Sequence, residues 1–587
     1  MFFRGKPIWP AVALIVVLTS CSRTADAPIT GLPRRIGVLL FENLSSDVSL
    51  DWLAVGATSV ISSQIASPAS IVPVDLPSVR DVASANVSEL IYGYYSVAGD
   101  EIRFTAQLRN PATLQNERLI TASGKLAAGV LPLLDSLARQ ISPAAHPYGT
   151  RNETAARELF LAASAPLPDQ AVAHLELALK ADPAFAPAYL RKIQLLGSRG
   201  DTAGAKAALA AASQHASSFS ALERAQITML AANLGGSPDD RAAALREMAA
   251  AAPTDVQALD ALARLQITGK KFTDAIGTYQ KALKVEPANV VLWNSLAYAQ
   301  AYAGDSPGAL ASLEQYRKLA PNDANVDDTL AEIHFLFGRF DQAERSFVEA
   351  NRRNRSLVNG QELYRAAAAA LVGGNVKSAE EHFQGYLALL KGANDPLLAV
   401  RQAMWAYQKG DKSAFGQLRD VAERKETPPD VAAVAYAQLA IFLLDSDQRG
   451  KAAEEVSKGL TRASAAGARN FAGVAGFLAG PKASASEWKA RAERAVPGQL
   501  AIQRQILGYA LLLSKQYEDA IPIWNAAYDE AGLDAMGEAK VLLAYCYRKA
   551  GRTAEAVELM KTGVLPPKSL DPGVPALLVP YYLSLRK

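Results

Sequence analysis

Leu296-Ala297-Tyr298-Ala299-Gln300-Ala301-Tyr302-Ala303-Gly304-Asp305 decides the fold, because its small and bulky residues return at one fixed interval on either side. Leu262, Leu296 and Leu330 are 34 apart, as are Ala263, Ala297 and Ala331. Ala275, Ala309 and Ala343 keep the step, and so do Tyr279, Leu313 and Phe347, and Pro253, Pro287 and Pro321. Across 291–319 the apolar residues fall on helical spacing in two runs, broken at Gly304-Asp305, where the chain can reverse. The alanines stand where two antiparallel helices must approach closely. A hairpin this thin is not stable alone, so its outer face has to be covered by the next one.

The bulky position of the second helix continues as Leu175, Leu209, Leu245, Tyr279, Leu313, Phe347, Phe383, Leu418, Val456, Trp488, Trp524 and Met560, with a mean step of 35, which predicts about twelve hairpins over 153–565. The steps of 38 and 32 around Val456 make the register irregular over 420–480. Trp488 and Trp524 could be ligand platforms, but a stripe at repeat spacing reads as core. With paired alanines, a bulky residue four after the second and a proline near the end, the pattern resembles the tetratricopeptide repeat. That resemblance implies an α-solenoid whose first helices line a groove for extended or helical peptide. Aligning the hairpins places Arg264, Asn294, Tyr298 and Tyr302 on this inner face as candidate partner-binding residues, or as plain groove wall. Asp260, Asn294 and Asp328 share the wall, and their acidity disfavours a carboxylate ligand.

Residues 35–142 read differently. Ile36–Phe41 is a strand-length apolar run, 42–47 a turn and Trp52–Ile65 a helix. Ile71–Val74, the hairpin 90–108 and 118–122 add strands, and 126–141 a closing helix. Ile36-Gly37-Val38-Leu39-Leu40-Phe41-Glu42-Asn43-Leu44-Ser45, Leu90-Ile91-Tyr92-Gly93 and Ile102-Arg103-Phe104-Thr105-Ala106-Gln107-Leu108 resemble the TolB amino-terminal type of α/β domain. Bacteria place that domain before tetratricopeptide repeats in some signalling proteins. This chain shows neither their cyclase or DNA-binding part upstream nor the TolB propeller downstream, so neither activity transfers. The expected fold class is therefore a small α/β domain, a breaker-rich linker at 143–152, the solenoid, and a proline-rich tail, 566–587, that covers its last open face.

The amino terminus reads as a targeting segment. Arg4 and Lys6 precede the apolar stretch Ile8–Leu18, and Leu18-Thr19-Ser20-Cys21 resembles a bacterial lipobox. This implies a signal peptide over 1–20, lipid attachment at Cys21, a tether over 21–34, and an outer-membrane anchor facing the periplasm. The alternative is an ordinary secretory signal with an incidental cysteine. Net charge is +3, or +1 without Arg4 and Lys6, and no long basic run appears, so a nucleic-acid footprint is not expected. Cys546, the other cysteine, sits in an apolar helical stretch and reads as core.

No metal, cofactor or catalytic constellation emerges. His146, His174, His215, His334 and His382 share no ligand spacing, and HExxH, CxxC, GxSxG and phosphate-loop patterns do not occur. Asp445-Ser446-Asp447-Gln448-Arg449-Gly450 begins like a calcium loop, but Val456 holds the position of the bidentate glutamate. The expectation is a non-enzymatic scaffold that binds protein or peptide partners and serves an envelope assembly or export machine. A sensory input module with a separately encoded output protein is the alternative.

Overall fold

The computed structural model describes residues 34–587 except 46, 68–69, 83–84, 86, 531–532 and 569, so Cys21 and the segment around it lie outside the described residues. The amino-terminal unit runs β1 (Arg34–Leu39), β2 (Glu42–Asn43), α1 (Trp52–Ile65), β3 (Ile71–Leu76), β4 (Glu89–Ala98), β5 (Glu101–Arg109), β6 (Asn116–Lys125) and α2 (Leu131–Ile141). Its sheet has the order β3-β1-β4-β5-β6, parallel through β4 and antiparallel beyond, with β2 beside β4. Phe41 is buried directly under Gly93, where any Cβ would collide with the ring. The closing helix starts at Leu131, later than its apolar pattern suggests, because Gly129 takes a φ of 87° and Pro132 suits a first turn.

The linker at 143–152 carries no helix or strand, yet it is clamped. Tyr148 and Thr150 are buried. Tyr148 lies against Phe160 and Phe185 at centroid distances of 6.2 and 5.9 Å, and Phe160 stacks on Trp52 of α1 at 6.2 Å. Gln64 and Arg151 both donate to the buried Asp135 of α2. One hydrophobic core therefore runs from the sheet into the first helical hairpin.

Among the described residues twelve hairpins follow, from Glu153–Ser164 with Pro168–Ala181 to Leu533–Lys549 with Thr553–Met560. The six alanines of the 34-residue pattern, Ala263, Ala297, Ala331, Ala275, Ala309 and Ala343, are all 0 % exposed. Larger side chains there would separate the helices. Lys270, Gly304 and Gly338, again 34 apart, end successive first helices with φ of 56°, 84° and 72°. The irregular register has a simple cause: Pro429–Asp445 spans 17 residues and Ala485–Ala495 only 11, so the chain lengthens and then shortens its repeat.

The stack curls until distant hairpins meet. Lys270 of the fourth pairs with Asp529 of the eleventh at 2.8 Å and lies 3.3 Å over the Tyr528 ring. The tail does more than cover the last hairpin: after Met560 it turns inward and crosses the concave side, ending in a helix, Leu578–Arg586. Pro580 is accommodated because it is the third residue of that helix, where no N–H is needed. Among the described residues no helix is long and apolar enough to cross a membrane.

Trp488 and Trp524 are 0 % and 2 % exposed, and Trp524 packs on Gly508 and edge-on to Tyr509 at 4.9 Å. Trp524→Ala is expected to destabilise the chain by about 3–5 kcal/mol, read as a lower urea midpoint. An unchanged midpoint would remove Trp524 from the core.

Candidate functional site

The inner wall is built by position. Arg264, Tyr298 and Glu332 occupy one repeat position on the first helices of the fourth, fifth and sixth hairpins (Val256–Thr268, Val290–Tyr302, Asn325–Leu336), and Asp260, Asn294 and Asp328 another. Of the four residues singled out from sequence, Arg264 is open: its side chain is 61 % exposed and pairs with Asp260 at 2.9 Å. Asn294 is half-buried. Tyr298 donates its hydroxyl to Glu332, and Tyr302 stacks on Phe272 with centroids 5.7 Å apart. Both tyrosines thus have intramolecular partners that join neighbouring hairpins.

Beyond Glu332 the wall is closed and acidic. Asp328, Glu332 and Glu362 are buried around Arg365, which donates to Asp328 at 2.6 Å and lies 3.2 Å from Glu332. Lys568 of the tail approaches Glu332 closely enough to favour its charge, although burial still holds that carboxyl above the usual range. Neither Glu362 oxygen has a side-chain hydrogen-bond partner among the described residues, and burial pushes its carboxyl up to about 7, its own backbone N–H opposing, Asp328 adding to the effect and Arg365 opposing it.

From the sixth hairpin to the twelfth the channel is filled by the tail, gripped largely through its main chain. Lys540 donates to Gly563 O at 2.8 Å, Arg401 to Leu570 O at 2.6 Å, and Gln408 to Ala576 O at 3.5 Å. Gly573 N donates to Gln438 Oε1 at 2.7 Å, and Arg548 to Ser584 O at 2.5 Å. Between these points Leu570, Leu577 and Tyr581 are buried, and Tyr581 stacks on Tyr545 at 4.0 Å while donating to Asp445 at 2.7 Å. Arg586 closes the run, donating to Val372 O at a helix end and lying 4.5 Å over Phe340. A cavity of about 40 Å³ bounded by Phe335, Val372, Val564 and Tyr582 remains beside the tail, and a more open cleft of about 340 Å³ separates Val557 and Met560 from Tyr582 and Leu585.

The gripping residues were missed in the sequence, although a signal existed. Gln438 is a lone amide in an otherwise apolar helix and is 0 % exposed, a place where a polar side chain needs a partner. Asp445 of the calcium-like stretch accepts hydroxyls from Tyr407 and Tyr581, and Asp447 pairs with Lys515 at 3.0 Å. No group of three or more His, Cys, Asp or Glu placed to hold a metal occurs among the described residues. Cys546 is fully buried, and that burial pushes its thiol up to about 12.

One cluster has the residue types of a hydrolase. Ser378, His382 and Glu344 lie together, with His382 Nε2 at 3.2 Å from Ser378 Oγ and 2.8 Å from Glu344. Serine and glutamate use the same ring nitrogen, whereas a proton relay needs them on opposite nitrogens. The cluster ties neighbouring second helices together.

No family model and no curated protein matches this chain. Among solved structures, MamA of Desulfovibrio magneticus RS-1 aligns at 17 % identity over 30 % of this chain and 97 % of its own, with a TM-score of 0.26. YrrB, a TPR protein with an unusual peptide-binding site, aligns at 14 % identity over 32 % and 94 %, with a TM-score of 0.25. PilF of Pseudomonas aeruginosa gives 17 %, 36 %, 94 % and 0.26 for the same measures. The solenoid architecture itself rests on the twelve hairpins described above.

The buried carboxyl carries a pH dependence. Because the folded pKa of Glu362 exceeds the ordinary 4.5, its stabilising effect is complete below pH 4.5 and is lost as pH rises through about 7. Glu362→Gln is therefore expected to gain stability relative to wild type by about 2 kcal/mol more at pH 8 than at pH 5, measured by urea unfolding at both values. Equal gains would place a paired, ionised carboxylate there.

Proposed function

We propose that the chain is a non-enzymatic, lipid-anchored scaffold of the bacterial cell envelope, tethered through Cys21, whose solenoid holds protein or peptide partners. The observation that carries the binding role is the inner channel, where side chains of successive first helices hold the main chain of a segment that belongs to no hairpin. Main-chain recognition of this kind suits partners presented as extended chain rather than as a reacting small molecule.

The anchoring part rests on Arg4, Lys6, Ile8–Leu18 and Cys21 as read from the sequence. A TolB-type amino-terminal unit that docks a second protein belongs to the same proposal. Its core is shared with the first hairpin, so anything bound to the sheet would be held rigidly against the array. In this reading the protein serves an envelope assembly or export machine, with lipid, α/β unit and solenoid each supplying one attachment.

Crosslinking in the native envelope followed by mass spectrometry is expected to recover a defined protein partner, and Arg264→Glu to lower that recovery about fivefold without moving the melting temperature. Unchanged recovery would exclude the open wall around Arg264. Separately, Cys21→Ser is expected to lose the acylated mass and shift the protein from the membrane to the soluble fraction. The same mass and partition as wild type would refute the anchor.

A further inference from the structure

We infer that residues 564–587 are a built-in occupant of the partner channel, and that a partner enters by exchanging with this segment and carries its chemistry: a cation, a proline-interrupted apolar stretch and an aromatic amphipathic turn. The inference rests on the scaffold reading above and specifies its site.

The geometry distinguishes this segment from the hairpins. The hairpins pair by repetition, each on the next, whereas the tail follows no repeat and is fastened by long side chains from several hairpins that reach its backbone: Arg401, Gln408, Gln438 and Arg548. Those contacts read main chain and so accept other sequences of similar shape. The segment leaves the twelfth hairpin through Gly563, at a φ of 66°, packed so tightly on the Leu336 carbonyl that a Cβ has no room. It lies outside every hairpin pair, so its release breaks none of them.

Three features set the chemistry of the competitor. Asp328, Glu332 and Glu362 outnumber Arg365 on the buried wall, and the tail brings Lys568 toward them. Leu570, Val574 and Leu577 fill the middle, and Pro575 stands in the first turn of a short 3-10 helix, Val574–Leu577. Tyr581 and Tyr582 then stack on Tyr545 and Phe335, and Arg586 covers the Phe340 ring. An empty channel would leave Arg401, Gln438 and Asp445 without these partners, Gln438 from a position of 0 % exposure, so exchange is favoured over vacancy. Because the tail is tethered, it competes at a millimolar effective concentration and masks the intrinsic affinity of the channel.

The test uses the full chain and a fluorescein-labelled synthetic peptide of residues 564–587, followed by anisotropy. Leu577→Asp with Tyr581→Asp, which expels the tail, is expected to bind the peptide at least about tenfold more tightly than wild type. A peptide carrying Lys568→Glu and Arg586→Glu is expected to lose at least about fivefold on the same variant. A variant that keeps its helical circular dichroism yet takes no peptide overturns the inference. Should the variant unfold, hydrogen exchange on the wild-type chain decides. Amides of 573–586 opening as a unit before the hairpins support exchange; opening only with the hairpins overturns it. Failure on these measurements leaves the scaffold proposal standing on its own crosslinking test.

Discussion

Helices that carry alanine where they touch can lie close enough to share a core, but each pair then has almost no interior of its own. Everything else in this molecule follows from that constraint. Ala263 meets its surroundings at 0 % exposure, as do its repeats Ala297 and Ala331, and the thin hairpins become stable only in a stack. The stack in turn curves, bringing Lys270 against Asp529 and leaving an enclosed inner side. Of the helices that face that side, Pro429–Asp445 is apolar nearly all round and buries 13 of its 17 residues. A channel lined in this way cannot remain wet and open without exposing a large apolar surface, and the carboxy-terminal segment covers it.

How much of this could be read beforehand depended on whether the information was periodic. The interval of 34, the alanine positions and the left-handed turn at Gly304 are local and repeat, so they were legible and locate the hairpins. The strands of the amino-terminal unit were legible for the same reason, through alternation such as Ile102, Phe104, Ala106 and Leu108. The path of the tail was not. Its position depends on the summed curvature of twelve hairpins, which no single stretch encodes, and proline content indicates only where a repeat stops. Tyr148 shows the complementary failure: among Pro143, Pro147 and Gly149 it looks like linker, yet its ring is buried in the core joining sheet and solenoid.

The candidate wall was legible by position but not by role. Arg264, Asn294, Tyr298 and Tyr302 follow from aligning the repeats, and the alignment cannot say which of them find partners within the chain. Glu332 lies one repeat beyond Tyr298, and a carboxylate 34 residues on is close enough to take the tyrosine hydroxyl. Tyr302 has Phe272 from the preceding hairpin beside it. Pairwise facts of this kind belong to the stack rather than to any one repeat.

The buried polar groups of the channel impose order on what fills it. Apolar packing alone would let an extended segment slide, since one aliphatic side chain replaces another with little loss. Gln438 on Gly573, Arg401 on Leu570 and Asp445 on Tyr581 each fix one point of the segment, spaced along its length. A shift by one residue would leave several of them unpaired at once, at roughly 1–3 kcal/mol for each unsatisfied group. The same arithmetic argues against a vacant channel, most strongly at Gln408 and Gln438, which are 3 % and 0 % exposed. Recognition here is therefore a matter of register as much as of composition, set by polar side chains placed at intervals in an apolar wall.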